Sequence, residues 1–312
     1  MKIAILGGGS WGTALALHLA RNDHQIKVWE FNREQAAEMQ KKRICPLLPK
    51  VMLPESIFIS SKMEEVVFAA ELVLIAVPSE HVEATIKTAA NFLKDQPVII
   101  CSKGLSKEGK LLSDVVKVKG EVYCLYGPTH AEEVSKDMFC GIVLAGGKGK
   151  ERLKSIIESK NMKVELSDDL IGVQVGAAFK NIIALFVGVL EGAGYGDNAR
   201  AFIIDKGLAE IKQIGVKLGA KEVTFYGLAG IGDIIVTSFS RHSRNKYLGE
   251  QIGKGKKLDD ILQEMKMVAE GVNTLKTALV MEKKLDLHLP LIRGLDRIIH
   301  QNFSIEEVLH NL

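Results

Sequence analysis

A glycine-rich turn near the N-terminus constrains the fold of this chain more than any other segment. The apolar run Lys2–Leu6 leads directly into Gly7–Gly12 (GGGSWG), and helical periodicity follows over 13–22. A second apolar run, Ile26–Trp29, ends at Glu30. This order of strand, G-x-G-x-x-G, helix, strand and acid is typical of dinucleotide-binding α/β domains. It predicts a parallel sheet with a nucleotide bound at the glycine turn.

Each position of this motif has a physical role. Gly7 permits the tight turn, Gly9 lets the backbone approach a pyrophosphate, and Gly12 allows close helix–strand packing. The start of the helix then offers N–H groups and a positive dipole end to the phosphates. Glu30 can accept a hydrogen bond from the ribose 2′-hydroxyl of NAD, whereas Arg33 can receive the 2′-phosphate of NADP. These two residues are compatible with either NAD or NADP as the cofactor.

Further apolar runs continue the alternation of strand and helix to residue 166. Three of these runs stop at turn residues, namely Pro78-Ser79, Ser102-Lys103-Gly104 and Gly127-Pro128-Thr129. Ligands of open α/β sheets bind beyond the carboxyl ends of the strands, where such turns lie. Lys103 is therefore a candidate to bind a phosphate or carboxylate, and a solvated loop lysine is the alternative. We predict a doubly wound, Rossmann-type sheet over 1–166.

A second, mainly helical part is predicted over 167–312, and it begins with an unusual segment. From Leu170 to Leu190 nearly all residues are apolar or small, and Lys180 carries the only charge. The segment could span a bilayer by length, but a lysine at its centre costs about 2.5–3.5 kcal/mol there. We therefore predict a buried helix of a soluble protein, whose ammonium faces a partner, a cleft or a ligand. A lysine that extends to the surface is the alternative.

Polar clusters follow in the helical part. Gly227–Asp233 combines three glycines with an acid at a helix start, which is unusual for a purely structural helix. Ser243 is predicted to be a helix N-cap, and Arg244 is a candidate bidentate phosphate ligand. A solvated basic patch is the alternative there. Asp197 or Asn198 is predicted to cap the helix after the Gly192–Gly196 turn.

Composition limits the partners and the compartment. The 312 residues include 41 basic and 38 acidic side chains, for a net charge of +3 without a charged block. This argues against nucleic acid or a membrane surface as the main partner. The widely spaced Cys45, Cys101, Cys124 and Cys140 favour free thiols in a reducing compartment over disulfides or a metal site. The first strand leaves no room for a signal peptide, so we expect a cytoplasmic protein.

Taken in order, these motifs resemble the bacterial-type NAD(P)-dependent glycerol-3-phosphate dehydrogenases. The resemblance rests on GSWG at 9–12, SKG at 102–104, GPTHAEE at 127–133, Lys180-Asn181, GYGDN at 194–198, 227–233, HSRN at 242–245 and Glu270-Gly271. It runs nearly from end to end. It implies an N-terminal Rossmann domain and an all-α C-terminal domain of the 6-phosphogluconate-dehydrogenase-like kind. It also implies NAD or NADP as cofactor and hydride exchange between dihydroxyacetone phosphate and sn-glycerol 3-phosphate, which feeds phospholipid synthesis.

The resemblance implies roles for individual residues. Lys180 would donate or accept the proton, and Asp233 would hold Lys180 in place. Residues implied to bind the phosphorylated substrate are Lys103, Gly127, Thr129, Asp233, Ser243, Arg244 and Asn245. Residues implied to contact the cofactor, besides Gly7, Gly9, Gly12, Glu30 and Arg33, are Ser10, Trp11, Lys103, Ala131, Arg244, Val268 and Glu270. No metal site is expected, and a homodimer is left open.

This chain departs from the family pattern at two places. The family usually has Tyr-Leu-Pro where this chain has Leu47-Leu48-Pro49, and it commonly has Arg or His-Arg at the positions of Phe31 and Asn32. The second departure leaves a firm NADP preference unsupported.

Two other functions are considered for this chain. Reductases of the β-hydroxyacid or 6-phosphogluconate type share the expected architecture and also carry a lysine. A non-catalytic dinucleotide sensor would need the glycine turn but not Lys180.

Overall fold

In the computed structural model, which describes residues 1–265 and 270–312, the chain divides into two units after Leu170. The last strand of the first unit runs to Ser167, and the long helix that follows begins at Leu170. The division therefore falls slightly beyond the expected boundary at 166. The domain limits 1–166 and 167–312 stay a prediction.

The first unit, Met1–Leu170, is described throughout and contains an eight-stranded sheet. The strand order is β3-β2-β1-β4-β5-β6-β7-β8, and every neighbouring pair is parallel except the antiparallel β6 and β7. The first six strands thus have the order 3-2-1-4-5-6 of doubly wound nucleotide-binding sheets, with a switch point between β1 and β4. The strands are β1 (Lys2–Leu6), β2 (Gln25–Trp29), β3 (Phe58–Ser60), β4 (Leu72–Ile75), β5 (Val98–Ile100), β6 (Val122–Tyr126), β7 (Cys140–Gly146) and β8 (Met162–Ser167).

Helices of the first unit cover this sheet. β4 and β5 are buried along their whole length, as expected for parallel strands with helices on both faces. The helices are α1 (Ser10–Arg21), α2 (Arg33–Lys42), α3 (Met63–Val67), α4 (Val82–Ala89), α5 (Leu112–Val115), α6 (Ala131–Val134) and α7 (Lys150–Ile157), with a 3₁₀ turn at Ser79–His81.

The described part of the second unit, Ile171–Leu312, is helical. Its helices are α8 (Leu170–Gly192, beginning one residue before the division), α9 (Asp197–Lys217), α10 (Asp233–Phe239), α11 (Arg244–Gly253), α12 (Leu258–Glu264), α13 (Glu270–Lys284), α14 (Pro290–Gln301) and α15 (Ile305–His310). A 3₁₀ turn at Glu222–Tyr226 and a π-helical turn at Leu228–Gly232 precede α10.

Helix α8 is the core of the second unit. Among the described residues it is the one helix long and apolar enough to cross a membrane, and 89% of its most apolar window is buried inside the protein. Glycines let α11 approach it closely. A Cβ added at Gly188 would lie 2.1 Å from the Lys246 carbonyl oxygen, and one at Gly249 would lie 2.0 Å from that of Leu185. Backbone contact at these small residues explains why the helix is buried on most sides.

Some local expectations were wrong. The N-cap of α9 is Gly196, in an extended conformation, so Asp197 is a first-turn acid and Asn198 lies one residue further into the helix. The α-helix at the Gly227–Asp233 stretch begins only at Asp233, because the backbone of Gly230 (φ −108°, ψ −105°) is not helical. Strand β3 and helix α15, both short, were not predicted from the sequence.

Candidate functional site

The glycine turn of the first unit has the geometry of a dinucleotide site. Gly7 has φ +124°, and a Cβ there would lie 2.7 Å from the carbonyl carbon of Ala76. A Cβ at Gly12 would lie 1.9 Å from the Gly7 carbonyl oxygen, so both positions need glycine for backbone packing. A Cβ at Gly9 would meet nothing within 4 Å. The backbone therefore presents open space at Gly9, where a pyrophosphate needs to approach.

Helix α1 starts at this open position. Gly9 is its N-cap and provides no side-chain cap, and Ser10 is its first residue. The N–H groups of a first helical turn have no partner within the helix and attract phosphate oxygens. The residues present thus fit a dinucleotide. Trp11 is fixed by a hydrogen bond from its Nε1 to the Cys101 carbonyl oxygen at 3.1 Å.

Hydrogen bonds connect the turns at the carboxyl ends of β4, β5 and β6. The Ser102 hydroxyl donates to the Val77 carbonyl at 2.5 Å, and the Tyr126 hydroxyl donates to the Ser102 carbonyl at 2.7 Å. These bonds bring together the three turns that the sequence analysis placed at one edge of the sheet.

Lys103 belongs to this connected edge. Its Nζ donates to the Gly127 carbonyl at 2.7 Å, and the Thr129 hydroxyl donates to the same oxygen at 3.2 Å. The structure therefore brings Lys103, Gly127 and Thr129 together, and Ala131 follows as the buried first residue of α6. Their roles in binding substrate or cofactor stay predictions.

Glu30 lies beside the glycine turn. It follows β2 directly, and a Cβ added at Gly8 would lie 2.7 Å from its Oε2. Its Oε1 accepts the backbone N–H of Asn32 at 3.0 Å. Arg33, the other residue expected at the ribose, is the exposed first residue of α2.

In the second unit, Lys180 is buried in a polar cluster. Its side chain donates to Asp233 Oδ1 at 2.6 Å and to the Thr237 hydroxyl oxygen at 2.7 Å. Lys180 is 6% exposed, Asp233 is fully buried and Thr237 is 4% exposed. Such a buried pair is tolerated because the two charges offset each other and additional hydrogen bonds satisfy them. The alternative of a lysine extended to the surface was wrong.

Small residues make this contact possible. Gly176 lies one helical turn before Lys180, and a Cβ there would lie 2.3 Å from the Ala229 carbonyl oxygen. The turn that contains Ala229 and Gly230 therefore contacts the backbone of α8. This contact places Asp233, the first residue of α10, beside the Lys180 ammonium. This close approach explains the glycine-rich sequence before Asp233.

Thr237 was missed in the sequence analysis. It lies four residues after Asp233 in α10, so both side chains share one face of the helix. The Thr237 hydroxyl donates to the Asp233 backbone carbonyl at 2.6 Å, which leaves its lone pair for the Lys180 ammonium. The i, i+4 spacing of Asp233 and Thr237 in the sequence could have indicated that Thr237 belongs to the site.

The expected phosphate-binding segment lies at the start of α11. Ser243 is the N-cap, as predicted, and its hydroxyl accepts the Lys246 N–H at 3.2 Å. Asn245 is buried, and its Oδ1 accepts the Gly271 N–H at 2.9 Å, which joins this segment to the start of α13. The side chain of Arg244 lies on the exposed side of the helix.

Two residues expected to contact the cofactor remain, Val268 and Glu270. Glu270 is the first residue of α13, and Val268 lies outside the described residues. Over residues 1–265 and 270–312, no group of three or more His, Cys, Asp or Glu side chains could hold a metal ion. The four cysteines are free thiols, and burial raises the pKa of Cys140 to about 11.

Comparison with known proteins identifies the family of this chain. Residues 2–152 match the family model described as the N-terminus of NAD-dependent glycerol-3-phosphate dehydrogenase, and residues 169–310 match that of its C-terminus. A glycerol-3-phosphate dehydrogenase [NAD(P)+] of Bacillus subtilis is 37% identical, with 100% of this chain and 93% of the relative covered. One of Fusobacterium nucleatum is 36% identical, with coverages of 100% and 96%.

Solved structures give the same relationship. The crystal structure of glycerol-3-phosphate dehydrogenase from Coxiella burnetii superposes with a TM-score of 0.94 at 29% identity, covering 99% of this chain and 97% of that one. Because both family models and full-length relatives match, this chain belongs to the NAD-dependent glycerol-3-phosphate dehydrogenase family.

Proposed function

We propose that this protein interconverts dihydroxyacetone phosphate and sn-glycerol 3-phosphate with NAD(P)H as hydride donor. The proposal is carried by one observation: the buried Lys180 is held by Asp233 and Thr237. The chain that contains it is similar over its whole length to enzymes named glycerol-3-phosphate dehydrogenase [NAD(P)+]. A non-catalytic sensor would not need a buried ammonium fixed in this way, since that arrangement costs desolvation.

Lys180 is the proposed acid and base of the reaction. The bound nicotinamide supplies or accepts the hydride. As the ketone carbon is reduced, negative charge develops on its oxygen, and a fixed cation stabilises that charge and delivers a proton. The two hydrogen bonds to Asp233 and Thr237 hold the ammonium in one orientation, so little reorganisation is needed during the reaction.

Asp233 and Thr237 are proposed to support Lys180 rather than to react. The Asp233 carboxylate offsets the charge of the buried ammonium. The Thr237 hydroxyl is itself oriented by its bond to the Asp233 carbonyl, so it presents an acceptor to Lys180. Asp233 and Thr237 thereby fix the orientation of the Lys180 ammonium, which carries the proton.

Arg244, Ser243 and Asn245 are proposed to bind the substrate phosphate. The guanidinium is a planar fork that matches phosphate oxygens, and it sits in the first turn of α11, where the helix dipole also favours an anion. Lys103, Gly127 and Thr129, joined by their own hydrogen bonds, are proposed to contact the rest of the substrate. Binding energy from the phosphate then positions the carbonyl for the reaction.

A spectrophotometric assay tests this function. We expect NADH or NADPH oxidation with dihydroxyacetone phosphate, and none with β-hydroxyacid or 6-phosphogluconate-type substrates. Lys180→Ala should lose most of kcat, at least about 100-fold, while nucleotide binding measured by fluorescence persists. Near-normal turnover of this variant would refute the assignment of Lys180.

The phosphate site has its own test. Arg244→Ala should raise KM for dihydroxyacetone phosphate at least about tenfold, since a charge-assisted bidentate contact is lost. Arg241→Ala, which removes a nearby exposed cation before the helix starts, is the matched control and should leave KM unchanged. Equal effects of the two substitutions would indicate a general charge effect instead of a phosphate site.

The cellular role is a further part of the proposal. We propose that the enzyme acts in the cytoplasm, supplies glycerol 3-phosphate for phospholipid synthesis and binds no nucleic acid. Loss of the gene should then create a requirement for added glycerol or glycerol 3-phosphate. A homodimer is proposed as the assembly, and a monomer mass in light scattering would exclude it.

A further inference from the structure

We infer that Glu191 and Lys246 are positioning residues for Arg244, the proposed phosphate ligand. The inference rests on the proposed function, because it concerns how the start of α11 is held for that reaction. It is carried by an ion cluster that joins α8, α9 and α11, and by the close backbone contact between α8 and α11. The ion cluster consists of Glu191, Arg200, Lys246 and Glu250.

Glu191, near the end of α8, is the centre of the ion cluster. Its Oε1 lies 3.0 Å from the Lys246 ammonium, and its Oε2 accepts a hydrogen bond from Arg200 Nη1 at 2.8 Å. The Lys246 ammonium also lies 3.3 Å from the carboxylate of Glu250, one turn further along α11. Only 11% of the Lys246 side chain and 33% of the Glu191 side chain are exposed. Solvent therefore screens this pair less than a fully exposed one.

The glycine-rich turn after α8 brings the third helix to the ion cluster. The Tyr195 N–H donates to the Leu190 carbonyl at 2.9 Å, which closes the turn at its backbone. Arg200, in the first turn of α9, then closes it a second time by its bond to Glu191. The motif at 194–198, which the proposed reaction does not use, thus returns a cation to the end of α8. This cation holds the Glu191 carboxylate in place for the ammonium of α11.

Lys246 is held on two sides at the start of α11. It is the third residue of this helix, two positions after Arg244, and its backbone N–H donates to the N-cap hydroxyl of Ser243 at 3.2 Å. Its carbonyl oxygen would lie 2.1 Å from a Cβ at Gly188 of α8. The backbone of Lys246 therefore packs on α8, while its side chain pairs with Glu191. The first turn of α11 cannot rotate or slide along α8 without breaking one of these contacts.

A fixed first turn matters because phosphate recognition depends on direction. A guanidinium binds phosphate oxygens as a planar fork, so rotation of α11 about its axis would turn Arg244 away from them. Glu191 lies about 16 Å along α8 from Lys180. One helix therefore fixes both the proposed proton donor and, through Glu191, the proposed phosphate site. A constant separation of the two positions the carbonyl of the bound substrate at Lys180.

Substrates with and without a phosphate test this role. Lys246→Met removes the ammonium but keeps an unbranched side chain. We expect kcat/KM for dihydroxyacetone phosphate to fall at least about tenfold, mainly through a higher KM. The value for unphosphorylated dihydroxyacetone should stay within about twofold of the wild type, because this substrate does not use the phosphate site. Equal losses for the two substrates would overturn the inference, since a general distortion of the protein would explain them.

Further variants test the contact between the two residues. Lys246→Arg can still pair with Glu191 and Glu250, so it should restore most of the wild-type KM. Glu191→Gln should raise KM as Lys246→Met does, and the double variant should be no worse than either single one, because both act through one contact. Lys212→Met breaks the 2.7 Å ion pair with Glu222 elsewhere in this unit and is the matched control, with unchanged KM. Additive losses in the double variant would exclude the pair as the positioning contact.

The outcomes separate this inference from the proposed function. Absence of NADH and NADPH oxidation with dihydroxyacetone phosphate in the wild-type protein would refute the proposed function, and this inference with it. Wild-type turnover together with an unchanged KM in a folded Lys246→Met variant would refute the positioning role alone. Thermal unfolding of each variant verifies the fold. If Lys246→Met does not fold, Glu191→Gln, at the more exposed partner, provides the same comparison of the two substrates.

Discussion

Glu210 of α9 accepts the backbone N–H of Leu291 at 2.6 Å, so a side chain of one helix caps the start of α14. The same carboxylate accepts the Ile292 N–H at 3.0 Å, and Glu210 is only 4% exposed. Burial raises the pKa of Glu210 to about 7, against the lowering effect of these two backbone bonds. The nearby Glu282, which accepts the Leu289 N–H, also raises it.

The raised pKa of Glu210 predicts a pH-dependent stability. Because the folded state holds the proton more tightly than the unfolded chain, this stabilisation is complete below about pH 4.5 and is lost as the pH rises through about 7. The free energy of unfolding should fall across this window, by up to roughly 3 kcal/mol from this group. Urea unfolding of Glu210→Gln should show a flatter pH profile than the wild type. An equally steep profile in Glu210→Gln would contradict the assignment, and the exposed Glu306→Gln serves as the control.

Thr237 and its neighbour Ser238 make a matched pair for testing the lysine cluster. Thr237→Val keeps the shape but leaves the Lys180 ammonium without one acceptor, which should cost about 1–3 kcal/mol of stability. We expect kcat to fall about tenfold or more with KM little changed, and Thr237→Ser to restore most of it.

Ser238 is the control in this comparison. Its hydroxyl is buried and has no hydrogen-bond partner within the described part of the chain. Removing an unsatisfied hydroxyl leaves no stranded partner, so Ser238→Ala should change stability by less than about 1 kcal/mol and leave kcat intact. A loss of kcat in both variants would show that α10 tolerates no change, and Thr237 would then have no specific role.

The glycine contact between α8 and α11 predicts an intolerant position. Gly249→Ala would place a methyl group 2.0 Å from the Leu185 carbonyl oxygen, and neither backbone can move alone. We expect destabilisation of about 3 kcal/mol from overpacking, measured by urea unfolding. Gly196→Ala, where a Cβ would meet nothing within 4 Å, should cost less than about 1 kcal/mol. Similar losses at both sites would contradict close backbone packing.

The glycine turn predicts a separation of stability from cofactor binding. Gly9→Ala adds a methyl group into open space at φ −68°, so the unfolding temperature should stay near that of the wild type. Kd for NADH should nevertheless weaken about tenfold or more, because the methyl group occupies the path of the pyrophosphate.

Gly12→Ala should behave in the opposite way. The added methyl group would lie 1.9 Å from the Gly7 carbonyl oxygen, so the fold itself should be destabilised. If Gly9→Ala bound NADH as tightly as the wild type, the dinucleotide would not approach the backbone at this loop.

Local patterns in the sequence predicted much of this structure because they depend on neighbours in the chain. The apolar run Lys2–Leu6 identified β1 with its observed bounds, and the polar residues around Ser243 identified the N-cap of α11. Short or weakly patterned elements escaped: β3 has three residues, and its place beside β2 follows from long-range pairing. The cap of α9 was misassigned because Gly196, which has no side chain to signal a cap, occupies the N-cap position directly before Asp197.

The sequence by itself determined the kinds of site this protein has. The glycine motif with Glu30 indicates a dinucleotide, and a lysine within an apolar helix must have a partner, because a buried charge is too costly alone. Only the tertiary structure decided which groups meet. Asp233 and Thr237 lie more than 50 residues from Lys180 in the chain and reach it because Gly176 lets the preceding turn contact the backbone of α8. Distances across such separations depend on backbone packing, which periodicity and composition do not encode.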